Sequence, residues 1–553
     1  MASDAIAKTD DESTRIQAQL LSGRRMRQLR ENFTAYLFLA PAIILIFTFG
    51  IFPVFYAAYV SLYRWRIRQG EFQGLKNFVD AMGDIAYLLF FAVALALFAF
   101  VIVTAVRMFR SAKEKEVPFS FLFLSLIPGG LLATGLALFL LRCITFFAMD
   151  IAIERGDARV LGSLGWGALL MVLGLVVSTY VQRLQHRVAA RSAYTILPNF
   201  TGSAMVVVLL SSIAIVITRF TWVELNASER YEAAISRIGL VIAGLLLLAA
   251  AYAIWRWAMM QHSNLKTLGG ILAAAALIGA GLFFALNWST MSADADADFY
   301  NSLKITVFFS AGTVPIQLAI AVFLAYLLFQ DVRGKALFRV IFFIPYMAPS
   351  VAAAGIFQVL FSARAESMAN RLLTFLSFGN AEPLSWLQES KAAISILGQA
   401  FGLDSFAGIG FGPSLALIVI ILYSIWVYVG YNTVIFLAGL GNIPGSLYEA
   451  AEIDGAGRWA LFRHITLPLL SPITFLLSVL AVIGTFKAFN SIWVLRDNAA
   501  LGTTDTASIY FFETFFRGSR FGYATSMAMV LFIIILTMTL IQNQVAEKRV
   551  HYG

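Results

Sequence analysis

Seven polar or aromatic side chains lie within or directly after two strongly apolar stretches, where they could bind a polar solute. Four belong to the apolar run 413–440, and three follow the run 467–486. They are Trp426, Tyr428, Tyr431, Asn432, Lys487, Asn490 and Ser491. Amide and ionisable groups that face lipid are expensive, so these residues favour a solute pathway. The alternative is a membrane-interface role, because Trp and Tyr form interfacial belts and a lysine can extend its ammonium group to the headgroups.

A polar segment between the same two runs has the pattern of a short helix. Ser446 and Glu449 have the Ser-x-x-Glu spacing of a capping box, so we expect a helix to begin there. Gly455 and Gly457 would end it after about two turns, and Pro468 would mark the entry to the next helix. A helix this short is marginal alone, so it either packs against a partner or is an ordinary interfacial helix.

Catalytic and metal chemistry have little support in the sequence. The single cysteine, Cys143, excludes an intrachain disulfide and a thiolate metal cage, and the four histidines are far apart. Asp294, Asp296 and Asp298 alternate with alanine but lack the spacing of a calcium loop, so we expect a solvated acidic loop. A membrane enzyme would be expected to cluster its acidic residues or histidines at one interface, whereas the acidic residues here are dispersed among loops.

The elements that position these residues are membrane helices. The chain has 553 residues, of which 60% are hydrophobic and 13% charged, and this composition excludes a soluble monomer. Twelve apolar runs have the length needed to cross about 30 Å of hydrocarbon. They are 36–59, 85–106, 119–146, 161–181, 203–219, 238–258, 267–288, 302–328, 340–361, 413–440, 467–486 and 523–542. The sequence therefore predicts an all-α polytopic membrane protein with about twelve transmembrane helices.

Charge between the runs predicts the orientation. Residues 1–32 form a polar, arginine-containing tail, and an even number of crossings puts both termini on the cytoplasmic side. The net charge of +9 fits headgroup contact and topology better than nucleic-acid binding. Arg64, Arg66, Arg68 and Arg155 depart from the rule, because they would fall on the outer side.

The polar segment 442–468 resembles the EAA loop of permease subunits from binding-protein-dependent ABC importers. Glu449-Ala450-Ala451 is followed by three residues, Gly455, nine residues and Ile465-Thr466-Leu467-Pro468. Its flanks are similar to the carbohydrate branch, which includes the maltose-type permeases. By this resemblance, the residues that couple to an ATPase are Glu449, Ala450, Ala451, Asp454, Gly455, Ile465, Leu467 and Pro468.

The resemblance also implies a division of the chain. Segments 33–81 and 298–545 are similar to the six-helix permease core, with further matches at 38–42, 74–78, 338–349 and 484–495. Residues 82–297 then form an insertion of six predicted helices, an even number that preserves the direction of the second core helix. Residues 546–553 form a short cytoplasmic tail. Packing, lipid contact or assembly is the simplest role for the insertion, and a separate activity is the alternative.

The resemblance implies a translocation subunit for a sugar or oligosaccharide of the maltose or trehalose kind. Its expected partners are a second permease subunit, two copies of a cytoplasmic ATPase and an extracytoplasmic sugar-binding protein in the bacterial cytoplasmic membrane. The chain has no Gly-x-x-x-x-Gly-Lys-Ser/Thr loop, so ATP and Mg²⁺ are expected in the partner ATPase, with no cofactor bound here. In maltose-type permeases the fourth and fifth core helices contact the sugar. By the resemblance, the seven solute-pathway candidates lie in the corresponding stretches of this chain.

Two alternatives stay open. Lys487-Ala488 stands where the family often has amides, which favours a phosphorylated or acidic sugar as the substrate. A sugar alcohol is a further alternative. A secondary sugar transporter of twelve helices would fit the length, but it would not explain the pattern from Glu449 to Pro468.

Overall fold

The structure, a computed structural model, describes most of the chain as helix. The described residues are 34–35, 37–115, 117–148, 158–188, 200–260, 264–330, 333–402 and 410–547. They form two compact units, Met1–Val60 and Ser61–Gly553. In the described part, the strands are β1 (Tyr63–Trp65) and β2 (Gln69–Phe72), which pair as an antiparallel hairpin.

The amino-terminal half contains the first helix, a short surface helix and six long helices. They are α1 (Leu37–Ser61), α2 (Lys76–Met82), α3 (Ile85–Glu114), α4 (Ser120–Ala148), α5 (Ala158–Val188), α6 (Thr201–Ala227), α7 (Tyr231–Met259) and α8 (Asn264–Met291).

The carboxyl-terminal half alternates long helices with short ones. They are α9 (Ala297–Phe329), α10 (Lys335–Met347), α11 (Ser350–Leu360), α12 (Met368–Leu376), α13 (Ala393–Ala400), α14 (Leu415–Leu440), α15 (Gly445–Ile453), α16 (Arg458–Leu469), α17 (Ser471–Phe486), α18 (Asn490–Leu495), α19 (Ala507–Phe516) and α20 (Phe521–Glu547).

The predicted all-α polytopic fold is confirmed. Ten described helices are long and apolar enough to cross a membrane, and two bent pairs bring the number to twelve. The run 340–361 is wrong as a single straight helix, because α10 and α11 meet at an angle of 95°. Ala348 is extended at the break, as expected for a residue before a proline, and Pro349 has no N–H to continue the helix. The run 467–486 also belongs to a bent pair. Its helix begins earlier than predicted, with α16, and bends by 62° before α17.

Helices α3–α8 pack through small residues. α4 packs along α5, α7 along α8, and α3 and α4 both contact α6. A side chain on Gly135 would come within 2.9 Å of the Gly167 carbonyl oxygen, so the α4–α5 contact requires glycine there. Close backbone approach of this kind is typical of helices packed in lipid, where burying apolar surface against a neighbouring helix gains little.

The segment before α3 and the segment after α8 lie next to each other. The Asp296 N–H donates to the Ala81 carbonyl at 3.3 Å, and the Tyr300 hydroxyl donates to the Met82 carbonyl at 3.0 Å. One hydrophobic cluster joins Tyr87 and other inserted residues to α2, α9 and α20. The segments that flank α3–α8 are therefore in direct contact with each other.

Asp294 is exposed, as expected for a solvated acidic loop, but both Asp294 and Asp296 also make specific side-chain contacts. The Asp294 carboxylate pairs with Arg230 at 2.7 Å and Arg237 at 2.9 Å, and Arg237 also pairs with Asp84 at 2.7 Å. Hydrogen bonds from Arg230 and then Arg237 lower the pKa of Asp294. Arg237 lies on α7 and Arg230 directly before it, both more than fifty residues earlier in the chain, so local spacing could not reveal them.

Asp296 holds three elements together. One carboxylate oxygen accepts from the Asp298 and Phe299 N–H groups and so caps α9. The other accepts from the hydroxyls of Tyr510 at 2.8 Å and Tyr523. The carboxylate therefore joins the start of α9 to α19 and α20.

The remaining core helices pack closely around α9 and α14. Phe309 and Ile420 belong to one buried cluster there, and Phe436 belongs to another. Gly430 lies against the Phe342 carbonyl of α10, where no side chain would fit. The broken pair α10–α11 is thereby held against the middle of α14.

Candidate functional site

A cavity of about 330 Å³ lies between α9, α14 and α17. Residues 487–491 and Ser350, at the start of α11, complete its wall. Six of the seven solute-pathway candidates line it: Tyr428, Tyr431, Asn432, Lys487, Asn490 and Ser491. The structure therefore brings residues from two separate apolar runs around one space, whose volume lies at the low end of the range for small-molecule sites.

One face of α14 supplies the aromatic wall. Ser424, Tyr428 and Tyr431 follow one another at helical spacing, so they point to the same side. The Tyr346 ring of α10 stacks on Tyr431 with 4.5 Å between ring centroids. The Tyr423 hydroxyl donates to the Ser350 carbonyl at 2.9 Å. The broken pair α10–α11 thus supports this wall from behind.

Trp426 is the predicted solute-pathway residue that does not line the cavity. It is out of phase with the residues of α14 that face the cavity, and its side chain is half-exposed. Its ring packs on Phe357 of α11 with a centroid distance of 5.3 Å. The described contacts therefore place it on the α11 side of α14.

Three buried polar atoms in the cavity wall have no hydrogen-bond partner within the described residues. They are Thr313 Oγ1, Gln317 Oε1 and Asn432 Nδ2, and their side chains are 1%, 3% and 4% exposed. We call these residues the polar trio. Such atoms each leave a desolvation penalty of about 1–3 kcal/mol unless a ligand or water bonds them. Thr313 and Gln317 were missed from the sequence, although an amide within the apolar run 302–328 was the same signal that singled out Asn432.

Lys487 lies at the opposite end of the cavity from the polar trio. Thr485 donates to Ser310 Oγ at 2.8 Å, which fixes the level of α17 against α9. Gln317 lies two turns beyond Ser310, about 10 Å along α9. Lys487 follows the last residue of α17 in the other direction; its side chain is exposed, and the described residues offer it no ion-pair partner. The cavity is thus uncharged at one end and cationic at the other.

The short helix α15 forms in the predicted segment, but its start differs from the prediction. It begins at Gly445 with Pro444 at the N-cap, and no side chain caps it. Ser446 is therefore already the second helical residue, and the predicted capping box with Glu449 is wrong. Pro444 explains the shift, because its fixed φ places it at the helix boundary and it has no N–H to satisfy.

The end of α15 agrees with the prediction. Gly455 has φ +83°, a left-handed conformation that disfavours residues with a side chain. Its N–H donates to the Glu452 carbonyl at 3.0 Å, and the Ala456 N–H donates to the Ala451 carbonyl at 2.9 Å. This pair of bonds is the Schellman arrangement, which satisfies carbonyls at the end of a helix.

Most of the ATPase-coupling candidates are accessible. Glu449, Ala450, Asp454, Gly455 and Leu467 are exposed, whereas Ala451, Ile465 and Pro468 are half-buried.

The base of α15 is fixed to the next helix. The Tyr448 hydroxyl lies 3.1 Å from Thr466 Oγ1, and Thr466 is fully buried. Ile453 and Trp459 are 87% and 70% exposed, so apolar surface surrounds the acidic side chains. An exposed apolar patch of this kind is typical of a protein-binding site.

Comparison with known proteins places the chain among transport proteins. The family described as "Binding-protein-dependent transport system inner membrane component" is matched by residues 317–551. The probable ABC transporter permease protein YesP of Bacillus subtilis is 33% identical over 260 residues, which cover 46% of this chain and 75% of YesP.

Two further relatives have named substrates. The sn-glycerol-3-phosphate transport system permease protein UgpA of Agrobacterium fabrum is 30% identical over 265 residues, covering 47% of this chain and 79% of UgpA. The trehalose/maltose transport system permease protein MalF of Thermococcus litoralis is 27% identical over 252 residues, covering 46% of this chain and 76% of MalF.

Proposed function

This chain belongs to the family of binding-protein-dependent transport system inner membrane components, and from that premise we propose that it forms the translocation pathway of an ATP-driven sugar importer. The substrate would be a sugar or oligosaccharide delivered by an extracytoplasmic binding protein. The protein would work in the bacterial cytoplasmic membrane with both termini in the cytoplasm. It would be a transport subunit without an ATPase site of its own.

The cavity is the observation that carries this proposal. Its tyrosines can stack on the C–H faces of a sugar ring, and its amides and hydroxyls can bond sugar hydroxyls. The polar trio adds donors and acceptors without charge, which suits hydroxyl groups because they both donate and accept. The relative MalF, named for trehalose and maltose transport, supports a sugar as the substrate.

The helix α15 is the proposed contact with the ATPase. Glu449 and Asp454 could add charged hydrogen bonds in a cleft of that partner, while exposed Ile453 supplies apolar contact. ATP and Mg²⁺ would bind in two copies of the ATPase, and a second permease subunit would complete the pathway.

The bent helices suggest how coupling reaches the cavity. α15 is bonded through Tyr448 to Thr466, α16 continues from there, and α17 after the 62° bend lines the cavity. A movement imposed on α15 would therefore be passed along α16 to residues that touch the solute. Import then requires the solute and ATP to bind the inward-open and outward-open states with unequal affinity.

Reconstitution tests the proposal directly. The complete complex in proteoliposomes should take up maltose or another tested sugar only when ATP is inside and the binding protein is outside. Uptake driven by an ion gradient without ATP or binding protein would instead establish a secondary transporter. Glu449→Lys should keep the chain in the membrane and weaken ATPase recruitment, and full recruitment with normal turnover would disprove the coupling role.

A phosphorylated substrate is the second candidate, and Lys487 favours it. Its exposed ammonium group lies at one end of the cavity, where a phosphate could pair with it. The relative UgpA is named for sn-glycerol-3-phosphate transport. Lys487→Gln should lower uptake of sn-glycerol-3-phosphate but not of maltose. Equal effects on both solutes would remove the charge of Lys487 from substrate selection.

A further inference from the structure

Two of the arginines that depart from the charge rule, Arg64 and Arg66, line one pocket together with two further cations. Arg64 and Arg66 come from the β1–β2 hairpin, Lys76 begins α2, and Arg520 precedes α20. All four line a polar pocket of about 320 Å³. Residues far apart in the chain thus bring positive charge to one place, outside the cavity already described.

The positive charge of this pocket is largely uncompensated. Asp80 is the acidic residue in its wall, so four cations and one carboxylate leave three positive charges. Burial raises the pKa of Asp80, and the nearby Lys76 and Arg520 oppose that rise. None of the four cations forms an ion pair with another described residue. Arg520 instead stacks on the Tyr523 ring, 4.1 Å from its centroid.

The pocket lies where membrane-spanning sequence begins. Arg520 directly precedes Phe521, the first residue of the span in α20. In the hairpin, Ile67 is 86% and Phe72 54% exposed, beside the arginines. Apolar side chains interleaved with cations are typical of a segment that lies in the headgroup region. Lipid phosphate is the anion that this depth offers in greatest amount.

We propose that this pocket binds a phosphate group, and that its usual source is the headgroup of an anionic phospholipid. The guanidinium groups of Arg64, Arg66 and Arg520 offer paired N–H donors that match phosphate oxygens. The concave, polar wall suits a small anion better than a broad protein surface. The site would hold the hairpin, α2 and the start of α20 together at the membrane surface, independently of the substrate carried.

Lipid titration of the full-length chain tests this site. The melting temperature in detergent is measured during addition of phosphatidylglycerol. Phosphatidylcholine, which has no net charge, serves as the reference lipid. Phosphatidylglycerol should stabilise the wild type at lower concentration than phosphatidylcholine. Arg64→Gln with Arg66→Gln should raise the half-saturating phosphatidylglycerol concentration about 25-fold, at about fivefold per cation. The matched control, Arg364→Gln with Arg371→Gln, removes two exposed arginines elsewhere and should leave that concentration unchanged.

The other arms separate the possible sources of the anion. Inorganic phosphate that stabilises the wild type but not the Arg64/Arg66 variant, with no preference for phosphatidylglycerol, would keep the phosphate site and overturn the lipid as its source. Equal affinity of the variant and its control for both phosphatidylglycerol and inorganic phosphate would overturn the site itself. Weaker docking of the binding protein with unchanged lipid affinity would establish a protein contact and overturn the proposal. Unchanged melting temperatures of both variants in phosphatidylcholine check that folding is retained.

Discussion

Gln317 has a buried side-chain oxygen without a hydrogen-bond partner among the described residues. Its Oε1 is buried in the middle of α9 and accepts no bond from the described residues, although it lines the cavity. Gln317→Leu should raise the apparent KM for the transported sugar about tenfold, equivalent to one lost hydrogen bond of about 1.4 kcal/mol. Thermal stability should stay equal or rise slightly, because the unpaired buried acceptor disappears. Uptake kinetics and the melting temperature of the complex measure the two effects.

A buried hydroxyl outside the cavity provides the control. Thr433 lies beside Asn432, but its Oγ1 is bonded to the Val429 carbonyl at 2.7 Å and does not line the cavity. Thr433→Val should lower stability by about 1 kcal/mol and leave the KM unchanged. The assignment of Gln317 is wrong if its variant loses stability while the KM stays the same, since that pattern indicates a structural role.

Gly455 is constrained by its backbone rather than by its neighbours. No atom lies within 4 Å of the position that a side chain would take, but φ is +83°. Gly455→Val should therefore strain the end of α15 by about 1–2 kcal/mol and reduce ATPase recruitment. Gly457→Ala is the matched control, because Gly457 has φ −74° and equally open surroundings. Co-purification of the ATPase measures recruitment, and equal losses in the two variants would contradict the conformational argument.

At the scale of elements, a side-chain hydrogen bond joins α15 to the next helix. Tyr448→Phe removes the hydroxyl that meets Thr466 Oγ1 at 3.1 Å. We expect a stability loss of about 1 kcal/mol, with a several-fold fall in solute moved per ATP hydrolysed. Simultaneous uptake and hydrolysis assays give that ratio. In a double-mutant cycle with Thr466→Val the two changes should be non-additive, and simple additivity would show that the bond does not carry the coupling.

The ion pairs of Asp294 with Arg230 and Arg237 should make stability depend on pH. Arg230 and Arg237 lower the pKa of Asp294, so its ion pairs stabilise the fold above the ordinary value of 3.8 and are lost as pH falls through the lowered value. Asp294→Asn should destabilise by less than about 1 kcal/mol near neutrality, because the carboxylate is half-exposed. The difference from the wild type should vanish in acid. Melting curves from pH 7 to about pH 2, a range that extends well below the ordinary pKa, check this. Asp298→Asn, which breaks no described ion pair, should show no such convergence.

At the scale of the whole molecule, the lengths of the apolar runs predicted the number of membrane helices, because runs of about 20 residues leave little alternative. The 95° bend between α10 and α11 was not predicted. A proline alone does not indicate a break here, because Pro345 lies within α10 whereas Pro349 ends it. Six cavity residues were identified because polar groups stand out in apolar runs. Gln317 was missed although it is likewise an amide within an apolar run, and the partners of Asp294 were missed because only the folded chain brings them to that loop.

The contact between the segments that flank α3–α8 predicts how the chain tolerates removal of these helices. Gly83 lies against Ala293, where a side chain would come within 2.9 Å of the Ala293 carbonyl oxygen, so a short linker can join the two sides. Two deletions separate the inserted helices from the loop that follows them. One removes 82–297, and the other removes 84–292 and keeps Asp296, the carboxylate that accepts from Tyr510 and Tyr523.

Both deletions should leave a folded, membrane-inserted chain with lower thermal stability, because residues such as Tyr87 and Leu225 no longer cover α2 and α20. The shorter deletion should melt at the higher temperature, since Asp296 still caps α9 and bonds α19 and α20. Its advantage should be about 3–6 kcal/mol, since each of two hydrogen bonds to a charged group contributes about 1.5–3 kcal/mol. Size-exclusion chromatography and melting curves of the two chains decide the matter. Aggregation of both would mean that the six-helix core is not self-sufficient, and equal stability would remove Asp296 as the joint between the halves.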